Sequence, residues 1–143
     1  MDKRIYFLND TLNFQIVRAA GLPQNKLTQG MIRLLFGRAI LRFSKLALEF
    51  DHEVGEHGAM AGARWLLKHF VRGHEAAGTE LIPKDGPLII AANHPASYDG
   101  MVIAAYVPRS DFKIIVGEIP PYRYLPNVSR YAIFSPQVKN TFG

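Results

Sequence analysis

The first half of the chain repeats its apolar residues every three to four positions; the second half does not. From Thr28 to about Phe50, the residues Ile32, Leu35, Ala39, Phe43, Leu46 and Phe50 keep that spacing, which places them on one face of a long helix. Arg38, Arg42, Lys45 and Glu49 recur on another face, while Leu34, Phe36, Ile40 and Leu41 widen the apolar side. Upstream, residues 5–20 mix aromatic and aliphatic side chains, with Asn9 or Asp10 placed to cap a short helix that Gly21-Leu22-Pro23 ends. Downstream, residues 51–58 read as a polar connection between helices. Residues 59–70 then predict a further helix with Met60, Ala63, Leu66, Leu67 and Phe70 inward, and Trp65 as a core or interfacial anchor.

Past residue 70 the period disappears. Val71 to Thr79 reads as an irregular strand, and Gly78 to Pro87 as a turn-rich connector. Leu88-Ile89-Ile90-Ala91-Ala92 is a solid apolar run, the pattern of a parallel strand buried on both faces. An apolar helix over 98–107, a strand over Phe112–Val116, a proline-rich stretch from Ile119 and a third strand over Tyr131–Phe134 complete the pattern. Strand, helix and strand at this spacing form a βαβ unit with a right-handed crossover. The expected fold class is therefore α/β: a helical portion over residues 1–68, then a βαβ-containing part over 69–143. The sheet is expected to be incomplete, leaving an exposed edge or apolar face.

Composition narrows the chemistry. With 143 residues and 48% apolar content the chain can bury one core, and the absence of cysteine excludes disulfides and thiolate metal sites. The N-terminus lacks the apolar core of a signal peptide, and no uncharged run approaches the roughly 20 residues a spanning helix needs. Residues 1–50 hold eight Lys and Arg against three Asp and Glu, so the whole net charge of +5 lies in the first third. A basic amphipathic helix there suits an anionic lipid interface; the same pattern also describes a solvated face packed on its own core. No nucleic-acid recognition motif accompanies the charge, and nucleic acid is not an expected partner. His52, Glu53, Glu56 and His57 lack the spacing of a helical zinc site, so no metal site is expected.

The chemistry concentrates in Asn93-His94-Pro95-Ala96-Ser97-Tyr98-Asp99-Gly100, between the apolar run and the helix that follows. Open α/β sheets place ligands at this position, outside the carboxyl ends of strands. A histidine takes protons near neutral pH, and a carboxylate on its other nitrogen fixes the tautomer and stabilises the imidazolium. Five positions separate His94 from Asp99, too many for neighbours on one helix face, so the pair meets only if the loop turns back. No serine sits in a Gly-x-Ser-x-Gly elbow and no cysteine is present. His94 would then activate a hydroxyl belonging to the substrate, with Asn93 bracing the loop or donating to a developing oxyanion. The simpler alternatives are a helix cap at Ser97 or Asp99 and an ordinary loop histidine.

The ordered set Gly78-x-Glu80-x-x-Pro83-x-x-Gly86-Pro87, an apolar strand, then Asn93-His94-x4-Asp99, resembles the glycerolipid acyltransferases, the family that includes the lysophosphatidate acyltransferases. The resemblance spans about residues 70–135. It implies His94 as general base and Asp99 as its orienting partner; Asn93 and Ser97, in the same loop, are the expected substrate-binding residues. It also implies an acyl-CoA or acyl-carrier-protein donor, with no further cofactor, and a lysophospholipid or glycerophosphate hydroxyl as acceptor. Paired N-terminal helices on the membrane surface follow from the same likeness, hence a cytoplasmic, peripherally bound protein. The family's second block is approached at Ile133-Phe134-Ser135-Pro136, but no arginine follows. Its Phe-Pro-Glu-Gly-Thr-like third block and proline-containing fourth block are missing. The expectation is thus the first part of an acyltransferase domain; the alternative is an inactive membrane-binding fragment.

Overall fold

The computed structural model describes residues 2–94 and 98–136. Two helices come first: α1 (Arg4–Ala19) and α2 (Lys26–Leu67). The chain turns back between them, where Leu22 N–H bonds the Val17 carbonyl beyond Gly21. Helix α1 begins earlier than the pattern suggests. Asp2 accepts from the Arg4 N–H at 2.9 Å, so Asn9 and Asp10 lie inside the helix rather than at its cap. Helix α2 starts at a capping box. The Asn25 side chain accepts from Thr28 N–H at 3.0 Å, and the Thr28 hydroxyl lies 3.4 Å from Asn25 N–H. The α1–α2 seam buries Leu8, Val17, Ile32 and Ile40, each worth about 1.5–3 kcal/mol relative to exposure.

Residues 51–58 are not a connection. α2 runs on through them and bends at a single residue, Gly58 (φ 84°, ψ 171°), so residues 26–57 form one uninterrupted piece roughly 48 Å long. The bend folds the last two turns back so closely that a Cβ on Gly62 would lie 2.4 Å from Val54 Cγ2. Beyond the bend, Ala63 and Leu67 are buried against Ala104 and Ala105 of α3 (Asp99–Tyr106), while Phe70 stays exposed. Arg64 Nε donates to the Ala105 carbonyl at 2.8 Å, at the end of α3 where carbonyls lack helical partners.

Two short strands, β1 (Ile114–Gly117) and β2 (Ala132–Ser135), pair in parallel with Ile114 opposite Ala132. A 3-10 turn (Pro120–Tyr124) and α4 (Pro126–Ser129) connect them. α2, α3 and α4 all face one side of this sheet, around a small cavity of about 50 Å³ lined by Val54, Met101, Ile114, Val116 and Val128 among others. On the other side the neighbours Ile115 and Ile133 are exposed. The small α/β portion is present, with its bare sheet face, but two expected strands are not. Val71–Thr79 has no ladder and leads into a 3-10 turn at Thr79–Leu81. Leu88–Ala92 is neither a strand nor buried: all five residues are exposed, Ile89 at 93%. Burial on both faces needs a layer on each side, and the described residues supply helices on one side only.

Candidate active site

His94 and Asp99 meet. Nδ1 of His94 lies 3.0 Å from Oδ2 of Asp99, across a gap of five positions that only a turn in the chain can close. Asp99 is the first residue of α3, following Tyr98 (φ −110°, ψ 6°) at the cap position. The start of a helix favours a carboxylate through the unpaired N–H groups of the first turn. Gly100 then lets α3 approach the sheet, since a Cβ there would sit 2.6 Å from Ile114 Cδ1.

An ionised carboxylate only accepts, so the hydrogen bond assigns the neutral imidazole proton to Nδ1 and leaves the lone pair on Nε2. The two partners differ in exposure: the His94 side chain is 78% accessible and that of Asp99 17%. The carboxylate is thus held at the helix start while the ring stands in solvent. That arrangement suits a base that receives a proton from a bound molecule and a carboxylate that stays behind to steady the imidazolium. Asn93 is described and exposed beside His94, and Ser97 lies outside the described residues. A groove of about 460 Å³ opens elsewhere, at the α1–α2 turn, lined by Gln24, Asn25, Lys26, Gln29, Gly30 and Arg33. It contains no acid–base pair.

Among the described residues, no three His, Asp or Glu side chains converge as a metal ion would require. His57 and Glu53 are 3.3 Å apart, one turn apart on α2.

Two polar contacts that shape the surroundings escaped the sequence reading. His74 Nδ1 and the Tyr106 hydroxyl are 2.8 Å apart, and that hydroxyl also lies 2.9 Å from the His74 carbonyl, tying the segment after α2 to the end of α3. Asp51 is buried and accepts from the backbone N–H groups of Asn127 and Val128 at 2.8 and 3.0 Å, which caps α4 from across the fold. Its one visible signal is an acid at helical spacing between Ser44 and Val54, on the side of α2 that proves buried.

The exposed side of α2 carries a second feature. Leu27, Met31, Leu34, Leu35 and Leu41 are all exposed, as are Arg38, Arg42 and Lys45. At 100° per residue these eight fall within roughly 120° of one another. The buried Ile32, Ile40, Ser44, Asp51 and Val54 lie opposite. The apolar face read from spacing is therefore corrected: Leu35, Ala39 and Phe43 on it are exposed, and the seam with α1 lies farther round the helix. No described helix is long and apolar enough to cross a membrane. The chain matches no protein-family model, no curated protein and no solved structure.

Proposed function

We propose that this chain carries the acid–base motif of an O-acyltransferase working at a membrane surface. It would move a fatty acyl group from acyl-CoA or acyl-carrier protein to the hydroxyl of a lysophospholipid or glycerophosphate. The observation that carries the reading is the His94–Asp99 contact at 3.0 Å, within the motif order that resembles the glycerolipid acyltransferases. In this scheme Nε2 of His94 takes the acceptor hydroxyl proton as the oxygen attacks the thioester carbonyl. A C–O bond forms, the C–S bond breaks, and the leaving thiolate takes the proton from the imidazolium. Asp99 holds the tautomer throughout. Asn93 and Ser97 are assigned to substrate binding, Asn93 as a donor to the developing oxyanion.

The test is acyl transfer from acyl-CoA to a lysophospholipid in vesicles, with the full-length protein. His94→Ala is expected to lower the rate by about 10²–10⁴-fold, the usual worth of a general base. Unchanged turnover in that variant would remove the proposal.

The exposed stripe of α2 favours one other reading, a non-enzymatic module that binds lipid surfaces. Vesicle binding with no turnover at any donor concentration supports it, and turnover by the chain rules it out. Both readings place the protein peripherally on a membrane, on the cytoplasmic side.

A further inference from the structure

We infer that α2 meets an anionic lipid surface at a tilt, with its N-terminal turns deepest, its cations level with the headgroup phosphates and its acidic turns standing in water. The inference rests on the lipid-surface reading above and adds an orientation to it. The face that carries the exposed leucines and cations does not end at Lys45. At 100° per residue, Glu49, His52, Glu53 and Glu56 continue it within the same roughly 120°. Glu49, His52 and Glu56 are exposed and Glu53 is half-buried. One face of an uninterrupted helix therefore changes character along its length. Leu27, Met31, Leu34 and Leu35 come first, all exposed, with Leu34 at 86%. Arg38, Arg42 and Lys45 follow, with Leu41 among them. The glutamates and His52 come last, with no aliphatic side chain on that face.

A lipid surface offers acyl chains, phosphates and water in that same order. Leucines gain by entering the acyl boundary, and Arg and Lys by standing among anionic headgroups, whereas carboxylates are repelled by the same negative surface. A helix lying flat would press Glu49, Glu53 and Glu56 against that surface. The repulsion is of the same order as the attraction of Arg38, Arg42 and Lys45, so the two sets would offset each other. Tilting keeps the attraction and removes the repulsion. About 37 Å of helix separates Met31 from Glu56, and a tilt of roughly 20° lifts the far end beyond a Debye length of about 10 Å. The bend at Gly58 follows at once, and α3 packs on Ala63 and Leu67 beyond it. Along the chain, the acidic turns thus separate the lipid contact from the His94–Asp99 pair.

The chain has no cysteine, so a single introduced cysteine carries a nitroxide label without competition. Met31→Cys, Leu34→Cys, Leu41→Cys, His52→Cys and Glu56→Cys each replace an exposed side chain, away from the buried seam. Each labelled full chain is bound to vesicles of phosphatidylcholine and phosphatidylglycerol. Collision of the label with a water-soluble nickel chelate is then compared with that of the same chain free in solution. Collision is expected to fall at least about threefold at positions 31 and 34, less at 41, and to stay unchanged at 52 and 56. Equal loss at 34 and 56 overturns the tilt, because the helix then lies flat. Loss at none of the five positions, in a chain that co-sediments with the vesicles, overturns it too, because another face then holds the lipid. Loss at 31 and 34 that follows protein concentration instead of lipid assigns the face to a second copy and also overturns the proposal. A chain that does not co-sediment at all removes the lipid-surface reading, and the orientation with it.

Discussion

Asp51 shows how much one side chain can hold. Its carboxylate accepts from Asn127 N–H, Val128 N–H and the Asn127 amide, and lies 3.5 Å from the Arg4 guanidinium, so α1, α2 and α4 share it. Removing it leaves two backbone donors without their acceptor in a closed site. Asp51→Ala is expected to cost about 2–4 kcal/mol, read as a lower urea midpoint, with Asp51→Asn losing less because it keeps one acceptor oxygen. Tyr122 makes a prediction in pH. Burial raises its phenol above the ordinary value of 10.0. In the unfolded chain the phenol ionises first and the folded form binds the extra proton, so stability falls as pH rises beyond about 10. Tyr122→Phe should flatten that alkaline limb in thermal melts at pH 9–11, and an unchanged slope would discount the burial argument.

The bend in α2 belongs to a single glycine. At φ 84° and ψ 171°, Gly58 occupies a region that side chains avoid, and the apolar period on either side of it gives no sign of a turn that sharp. The glycines at 55 and 58 and the polar run around them suggest a longer break. Helix α2 passes through 51–57 because Asp51 and Val54 find partners on other elements, which outweighs the cost of interior glycine. Gly58→Ala is expected to destabilise the fold by about 1–3 kcal/mol, measured as a drop in melting temperature. A neutral result would mean that the bend moves readily to a neighbouring residue.

The molecule presents a basic and apolar side to the outside, and the proposed lipid binding is tested there. Leu27 and Leu34 are more than four-fifths exposed on the face that carries Arg38, Arg42 and Lys45. Each cation near an anionic surface contributes about 1 kcal/mol and is screened by salt, whereas the burial of the exposed leucines in a lipid surface would not be. Co-sedimentation should therefore be stronger with anionic than with neutral vesicles and fall only partly in high salt. Reversing Arg38, Arg42 and Lys45 to Glu should release the protein. Sedimentation that ignores the triple reversal would argue against this face.

Local pattern was enough for the elements whose neighbours are close in sequence. Helix α1, the parts of α2 on either side of residues 51–58, the helix at 99–106 and the strands at 114–117 and 132–135 were legible because periodicity and apolar runs record local burial. The His94–Asp99 pair was legible as a motif, since its residue types and spacing are written in the chain. Tertiary structure decided what spacing leaves open. Almost every side of α2 carries apolar residues, so the position of α1 selects which of them are buried, and the basic leucine stripe is among those left outside. Leu88–Ala92 reads as a buried strand, but burial needs layers on both sides, and the described residues place helices on one side of the sheet only. Asp51 was invisible as a cap because its partners lie 76 and 77 positions away, a distance at which only the folded chain brings donor and acceptor together.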